Sequence, residues 1–192
     1  MRSRKSSLVS SEVLRFDFAY DKPVSAAEIM RVERLVNEQI QANTPARIEH
    51  MSIDEAMNQG AMALFGEKYG SDVRVLTMGT DRIVDGQRKP FSIELCGGLH
   101  VQRTGDIGVL KITSESGIAA GIRRVEAVTG MNAVKNIQQS EQQLSELASQ
   151  LKVKRPEVAQ RVRTMADKQR DLEKQLERLQ QKNRQRSSSQ LA

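Results

Sequence analysis

The chain has 192 residues, of which 38% are hydrophobic and 28% are charged. This composition supports one ordinary domain with an appendage, or two small domains. The single cysteine excludes an internal disulfide framework and is typical of a reducing compartment. No apolar run approaches the roughly 18 residues of a membrane span, and the N-terminus lacks the apolar core of a signal peptide. We therefore expect a soluble, cytoplasmic protein that does not associate with membranes.

Positive charge is concentrated near the C-terminus. The net charge is +6, and residues 152–192 hold 12 Lys or Arg against 5 Asp or Glu. Such a segment can contact nucleic acid phosphate, or it can form the solvated face of a helix. The sequence leaves both interpretations open.

Short apolar runs predict several strands in the first two thirds of the chain. Alternating or β-branched apolar residues place them at 13–18, 47–51, 73–78, 92–95, 107–112 and 122–128. Asp85-Gly86 predicts a hairpin turn, residues 114–117 a loop, and Gly121 a bulge or a turn. Because strands and helices follow no regular alternation, the predicted class is α+β, a largely antiparallel sheet with packed helices.

Capping-box spacings, in which Ser precedes Glu by three residues, mark two helix starts. The first, at Ser25, predicts a helix that ends near Asn43, and the second, at Ser52, predicts a short helix that ends near Gly60. The small apolar segment 60–66 is predicted to pack closely beneath a neighbouring element. Glycine at each end of that segment permits close backbone approach.

The last third of the chain is polar, with a sparse apolar stripe. Apolar residues recur at coiled-coil spacings at Ile137, Leu144, Leu147 and Leu151, and again at Val158, Val162, Met165, Leu172, Leu176 and Leu179. Residues 154–157 interrupt the pattern, so residues 131–183 are predicted to form a helical coiled-coil hairpin after a globular domain at 1–130. The serine-rich end, 184–192, is predicted to be disordered.

Cys96 and His100 flank a glycine turn that follows a predicted strand. A thiolate and an imidazole are preferred ligands of zinc, but a zinc site uses at least three protein ligands. His50, the other histidine of the chain, is expected to be a partly solvated strand residue. Two further interpretations of Cys96 stay open: a buried small hydrophobic residue, and a nucleophile paired with His100.

Three long motifs occur together in this sequence. They are Ser7-Leu8-Val9 with Leu14-Arg15-Phe16-Asp17-Phe18, then Gly60 to Tyr69, and finally Glu94-Leu95-Cys96-Gly97-Gly98-Leu99-His100 continued by Thr104-Gly105, Ser114-Glu115 and Gly121 to Ala127. Together they resemble the editing domain of the alanyl-tRNA synthetase family. The tail is similar to the start of that family's C-terminal region, and the resemblance extends over residues 5–183.

The resemblance implies a substrate and a metal. In that family the editing domain hydrolyses tRNA(Ala) mischarged with serine or glycine. It holds zinc with two histidines of an upstream His-x3-His motif and with the Cys and His of the downstream motif. By resemblance Cys96 and His100 are the downstream ligands, and the upstream pair would precede Met1.

The sequence departs from the family pattern at several positions. Arg4, Ser6 and Leu99 stand where the family usually has Gln, Gly and Thr. The aminoacylation and ATP-binding domains have no counterpart. The chain therefore resembles an internal piece of a larger synthetase, or a gene remnant of one, in which missing zinc ligands would impair editing.

Two functional hypotheses follow from the resemblance. In the first, the chain is a deacylase module for mischarged tRNA(Ala), although no catalytic residue can be assigned. In the second, it is a non-catalytic fragment that binds tRNA, or that associates through its helices with itself or with the rest of a synthetase. Gly97, Gly98, Arg123 and Arg124 are the predicted tRNA contacts, the glycines through accessible backbone donors and the arginines through phosphate.

Overall fold

The computed structural model describes residues 4–62, 70–84 and 86–189. The chain divides into two compact units, Met1–Asn136 and Ile137–Ala192. The strands are β1 (Arg4–Val9), β2 (Leu14–Ala19), β3 (Arg47–Ser52), β4 (Asp72–Met78), β5 (Arg82–Val84), β6 (Gln87–Lys89), β7 (Ser92–Leu95), β8 (Leu110–Ala119) and β9 (Ile122–Thr129). The α-helices are α1 (Ala26–Ala42), α2 (Ile53–Asn58), α3 (Gly130–Gln150) and α4 (Val158–Ser189). Among these residues, no helix combines the length and the hydropathy that a membrane span requires.

The strands of the first unit pair antiparallel. Within the described residues they form a four-stranded sheet in the order β1-β2-β9-β8, a three-stranded sheet in the order β3-β4-β7, and the β5-β6 hairpin. The predicted α+β class with a largely antiparallel sheet is confirmed. Two predictions concern residues outside the described ranges. One is the close packing of residues 63–66, and the other is the conformation of Asp85 in the predicted hairpin turn.

Helix α1 begins and ends where its capping residues predict. The Ser25 hydroxyl accepts the Glu28 N–H, while the Glu28 carboxylate accepts the Ser25 N–H at 2.9 Å, which completes the capping box. Asn43 ends the helix in the left-handed conformation, at φ 48°. The Glu33 carboxylate accepts the Ile112 N–H at 2.7 Å, so a polar contact fixes α1 against β8.

The three-stranded sheet has its own small core. Its buried apolar side chains come from α2, β4, β7 and the segment after α2: Ala56, Ala61, Val73, Val75, Ile93 and Leu95. A second complete capping box, between Ser52 and Glu55, starts α2 as predicted. Burial of these side chains stabilises the strand β7 that leads into the Cys96 turn.

Strand β8 differs from its prediction. The apolar pattern predicted a strand at 107–112 and a loop at 114–117, whereas the strand begins at Leu110 and continues through the polar residues to Ala119. Residues 114–117 pair with β9, and a bulge lies before Ser114. β8 is an edge strand that pairs with β9 on one side only. The side chains of Thr113, Ser114 and Ser116 are exposed, whereas the Glu115 carboxylate bonds Arg123. Periodicity alone does not reveal such an edge strand. The predicted turn at Gly121 is confirmed, with φ at 65°.

The second unit consists of helices. α3 gives way to a short connection in which Lys152 has a left-handed φ of 53°, followed by a 3-10 turn at Arg155–Glu157. The side chains of Leu172, Leu176 and Leu179 on α4 are 64%, 59% and 61% exposed. The coiled-coil hairpin therefore stays a prediction.

Helix α4 extends further than the sequence predicts. It is continuous to Ser189, six residues into the segment 184–192 for which disorder was expected. That stretch contains no proline or glycine, so no residue in it breaks a helix. Residues 190–192 lie outside the described ranges.

Candidate metal centre

The turn that carries Cys96 and His100 follows directly from β7. The Cys96 N–H donates to the Arg74 carbonyl oxygen at 3.1 Å, which extends the β4-β7 ladder by one residue. In return, Nη1 of Arg74 donates to the carbonyl oxygen of Cys96 at 2.6 Å and to that of Gly98 at 2.9 Å. The backbone of the turn is thus held by one side chain of the neighbouring strand.

The side chains of Cys96 and His100 converge on Gly98. A Cβ atom built on Gly98 would lie 3.8 Å from Cys96 Sγ and 3.9 Å from His100 Cε1. Both side chains are half-buried, whereas Leu99 between them is fully exposed. Within the described part of the chain, the buried Nδ1 of His100 has no hydrogen-bond partner. A buried polar atom without a protein partner is unusual and is suited to a ligand.

The electrostatic surroundings favour a neutral His100. Burial lowers the pKa of its imidazole, the positive charge of Arg74 lowers this pKa further, and the Glu94 carboxylate acts in the opposite direction. A metal binds the neutral form of imidazole. The surroundings of His100 therefore favour the protonation state that metal binding requires.

The donor set fits one half of a zinc site. A thiol and a neutral imidazole that face the same space are the ligands zinc prefers. Among the described residues, no group of three or more His, Cys, Asp or Glu side chains is arranged to hold a metal. Cys96 and His100 would hold such an ion only together with ligands from elsewhere.

His50 does not approach this pair. His50 on β3 pairs with Arg74 on β4. On the opposite edge of β4, the Arg74 carbonyl oxygen accepts the Cys96 N–H. The backbones of His50 and Cys96 are therefore separated by two strand spacings, roughly 9.5 Å. The His50 imidazole instead faces the Asp72 carboxylate, with Nδ1 and Oδ2 separated by 3.4 Å.

The predicted tRNA contacts lie on two different sheets. Gly97 and Gly98 are exposed in the turn after β7, so their backbone is accessible. Arg123 and Arg124 lie on β9 of the four-stranded sheet, and each forms a two-point ion pair. Arg123 bonds Glu115 at 2.6 Å through both contacts, and Arg124 bonds Asp17 at 2.7 and 2.8 Å. Both guanidinium charges are balanced locally, and phosphate binding by either arginine stays a prediction.

The segment after His100 is anchored to the end of α1. The Thr104 hydroxyl donates to the Gln39 carbonyl oxygen at 2.7 Å and accepts the Thr44 N–H at 3.0 Å. Gly105 lies so close to Asn43 that a Cβ on the glycine would approach the Asn43 Oδ1 to 2.5 Å. The turn is thus fixed at β7 on one side and at α1 on the other.

An apolar groove of about 760 Å³ separates α1 from the four-stranded sheet. Its lining includes Leu8, Phe16, Val32 and Leu35, and also Glu94, two residues before Cys96. Neither Cys96 nor His100 lines this groove. The candidate metal-binding groups therefore lie outside this apolar groove.

Sequence reasoning missed one residue of the site, Arg74. The available signal was a single arginine inside the apolar run Val73-Arg74-Val75-Leu76. A long cation in a buried strand needs a polar partner. The partners of Arg74 are the carbonyl oxygens of Cys96 and Gly98, more than 20 residues along the chain. Only the folded structure brings these groups together.

Comparison with known proteins identifies the family. Residues 73–126 match the threonyl and alanyl tRNA synthetase second additional domain. The alanine–tRNA ligase of Psychrobacter cryohalolentis is 91% identical over 180 residues, which are 94% of this chain and 20% of the relative. The alanine–tRNA ligase of Mesorhizobium japonicum is 46% identical over 174 residues, 91% of this chain and 20% of the relative. The chain belongs to the alanine–tRNA ligase family.

The chain spans about one fifth of the length of the alanine–tRNA ligases it matches. The matched second additional domain extends from β4 into β9, and so includes Arg74, Cys96, His100 and both β9 arginines. The resemblance drawn from the sequence motifs is confirmed.

Proposed function

We propose that the chain supplies the Cys–His half of a zinc-dependent editing site that hydrolyses tRNA(Ala) mischarged with serine or glycine. The observation that supports the proposal is the convergence of Cys96 Sγ and the His100 ring on Gly98, with the His100 Nδ1 buried and unpaired among the described residues. Family membership supports the substrate class. The chain would act in the cytoplasm as part of translation quality control.

The residues of the turn have distinct tasks in this proposal. Cys96 and His100 hold the ion, and two histidines of a segment outside this chain complete its ligands. When bound, zinc activates a water and polarises the ester carbonyl that the water attacks. The exposed N–H groups of Gly97 and Gly98 orient the substrate, because neither glycine has a side chain that blocks approach to its backbone. No side chain of the chain is assigned as general base.

Metal content and ester hydrolysis test the proposal together. The purified chain is compared with the chain extended by the segment that precedes the matching stretch in the Psychrobacter cryohalolentis relative. We expect the extension to raise zinc occupancy to stoichiometric and to release serine from Ser-tRNA(Ala). C96A and H100A should abolish both properties, whereas H50A, the matched control, should retain them. Absence of zinc and of serine release from both proteins would contradict the proposal.

A second candidate function is non-catalytic binding of tRNA(Ala) or of a partner helix. Two observations favour it: the 12 basic residues of segment 152–192, and the exposed leucines of α4. The partner helix would belong to a second copy or to the rest of a synthetase. Binding of tRNA(Ala) by C96A with wild-type affinity, without hydrolysis in any variant, would favour this function.

A further inference from the structure

We propose that Arg74 is a positioning residue that shapes the Cys96–His100 turn so that both ligand side chains face the same space. The inference rests on the proposed zinc site and assigns to that site a residue outside the Cys-x3-His motif. Arg74 would not touch the metal or the substrate. Its effect would pass through the two carbonyl groups that it binds.

Three hydrogen bonds connect Arg74 to the turn. The backbone carbonyl of Arg74 accepts the Cys96 N–H at 3.1 Å, and Nη1 donates to the Cys96 and Gly98 carbonyl oxygens at 2.6 and 2.9 Å. Because one nitrogen bonds two carbonyl oxygens, it fixes their separation and the direction of two peptide groups. Both of those peptide groups lie between the two ligand residues.

The turn itself offers little else to hold its shape. Gly97 and Gly98 are successive glycines, which have the greatest backbone freedom of any residue. Neither of them is buried, and Leu99 projects fully into solvent. Packing therefore contributes little here, and the charge-assisted bonds from Arg74 dominate, being stronger than bonds between neutral groups.

The position of Arg74 makes it a firm support. β4 is the middle strand of its sheet, paired with β3 on one side and with β7 on the other. The flanking residues Val73 and Val75 are buried in the core of that sheet. A guanidinium has more donors in a rigid fork than an ammonium has, so lysine is not an equivalent replacement.

Two readouts that need no enzymatic activity test the role. One is amide hydrogen exchange across residues 97–100. The other is protection of Cys96 against alkylation during a titration with Zn²⁺, followed by mass spectrometry of the peptide that contains Cys96. This titration uses the chain extended by the upstream segment, which supplies the remaining ligands. We expect R74Q to accelerate amide hydrogen exchange in the turn. It should also raise the Zn²⁺ concentration at half-maximal Cys96 protection, the Zn²⁺ midpoint, about tenfold, as loss of a residue that orients metal ligands typically does. R74K should give an intermediate result.

The matched control is R47Q, at an exposed arginine on β3 of the same sheet. It should leave both readouts at the wild-type values. Melting curves identify any variant that unfolds. If R74Q unfolds, R74K is compared with wild type in its place, because lysine keeps the charge and most of the side chain. Wild-type exchange and a wild-type Zn²⁺ midpoint in folded R74Q would overturn the role of Arg74. Faster turn exchange in R74Q, without Zn²⁺ protection of Cys96 in the extended wild-type chain, would support the positioning role and contradict the zinc proposal.

Discussion

Asp17 and Arg124 face each other across β2 and β9 and form a two-point ion pair in the middle of the four-stranded sheet. The guanidinium bonds the carboxylate at 2.7 and 2.8 Å, and Asp17 is 5% exposed. The hydrogen bond from Arg124 holds the pKa of Asp17 below its usual value, although burial acts in the opposite direction. The pair therefore contributes to the stability of the sheet.

Replacement of Asp17 by asparagine is expected to lower the free energy of unfolding by about 2 kcal/mol, because it weakens a buried, charge-assisted pair. The folded-state pKa of Asp17 lies below the unfolded value. The stabilisation is therefore fully present above the unfolded pKa of about 3.9 and is lost as the pH falls through the folded value. Denaturant unfolding of wild type and D17N from pH 7 to pH 3 measures this difference.

The matched control is E126Q, in the neighbouring cross-strand pair Arg15–Glu126 on the same two strands. That pair is about one third exposed on each side, so its loss should cost only about 0.5 kcal/mol. A cost as large as that of D17N would show that strand position, and not burial of the ion pair, sets the effect.

The salt dependence of tRNA binding should show whether the phosphates contact the basic residues of α4 or the arginines of β9. Lys168, Lys174 and Arg178 are exposed on α4, whereas the β9 arginines are already paired with carboxylates. Each phosphate contact contributes roughly 0.7 to 0.9 to the slope of log affinity against log salt concentration. We expect K168Q/K174Q/R178Q to lower the slope by about 2 and R123Q/R124Q to change it less. A larger change in the arginine variant would instead assign the contact to β9.

The exposed leucines of α4 are expected to form a seam with a partner helix. Leu172 and Leu176 are more than half exposed in the single chain, a costly arrangement for apolar side chains at coiled-coil spacing. L172K/L176K should weaken self-association about a hundredfold, measured by sedimentation equilibrium. Q160K/Q181K adds the same charge at exposed positions off the seam and should sediment as wild type. Unchanged sedimentation of the leucine variant would contradict the seam.

Local signals made much of the fold predictable. The capping boxes at Ser25 and Ser52 specify both helix starts of the first unit, because the hydrogen bonds involve residues only three apart. The polar half of β8 was not predictable, since its strand conformation depends on pairing with β9 and not on its own periodicity. A strand of this kind is specified by its neighbour.

The same distinction applies to the site. Cys96 and His100 were identified from residue type and spacing, and the structure brings their side chains together on Gly98. The role of Arg74 could not be deduced in this way, because its partners are backbone carbonyls, which every residue has. Nor did the sequence reveal which carboxylate pairs with Arg123 or with Arg124, since Glu115 and Asp17 lie on different strands.

Two adjacent glycines allow a sharp test of the space between the ligands. Neither Gly97 nor Gly98 has a positive φ, so alanine is compatible with the backbone at both positions. A Cβ on Gly98 would contact both Cys96 Sγ and His100 Cε1, whereas a Cβ on Gly97 would meet open space. We expect G98A to raise the Zn²⁺ midpoint for Cys96 protection about tenfold, because the methyl group would occupy the space beside the two ligands that the ion needs. G97A should match wild type in this measurement and in its melting curve. Equal Zn²⁺ midpoints for the two variants would show that the ion does not occupy the space beside Gly98.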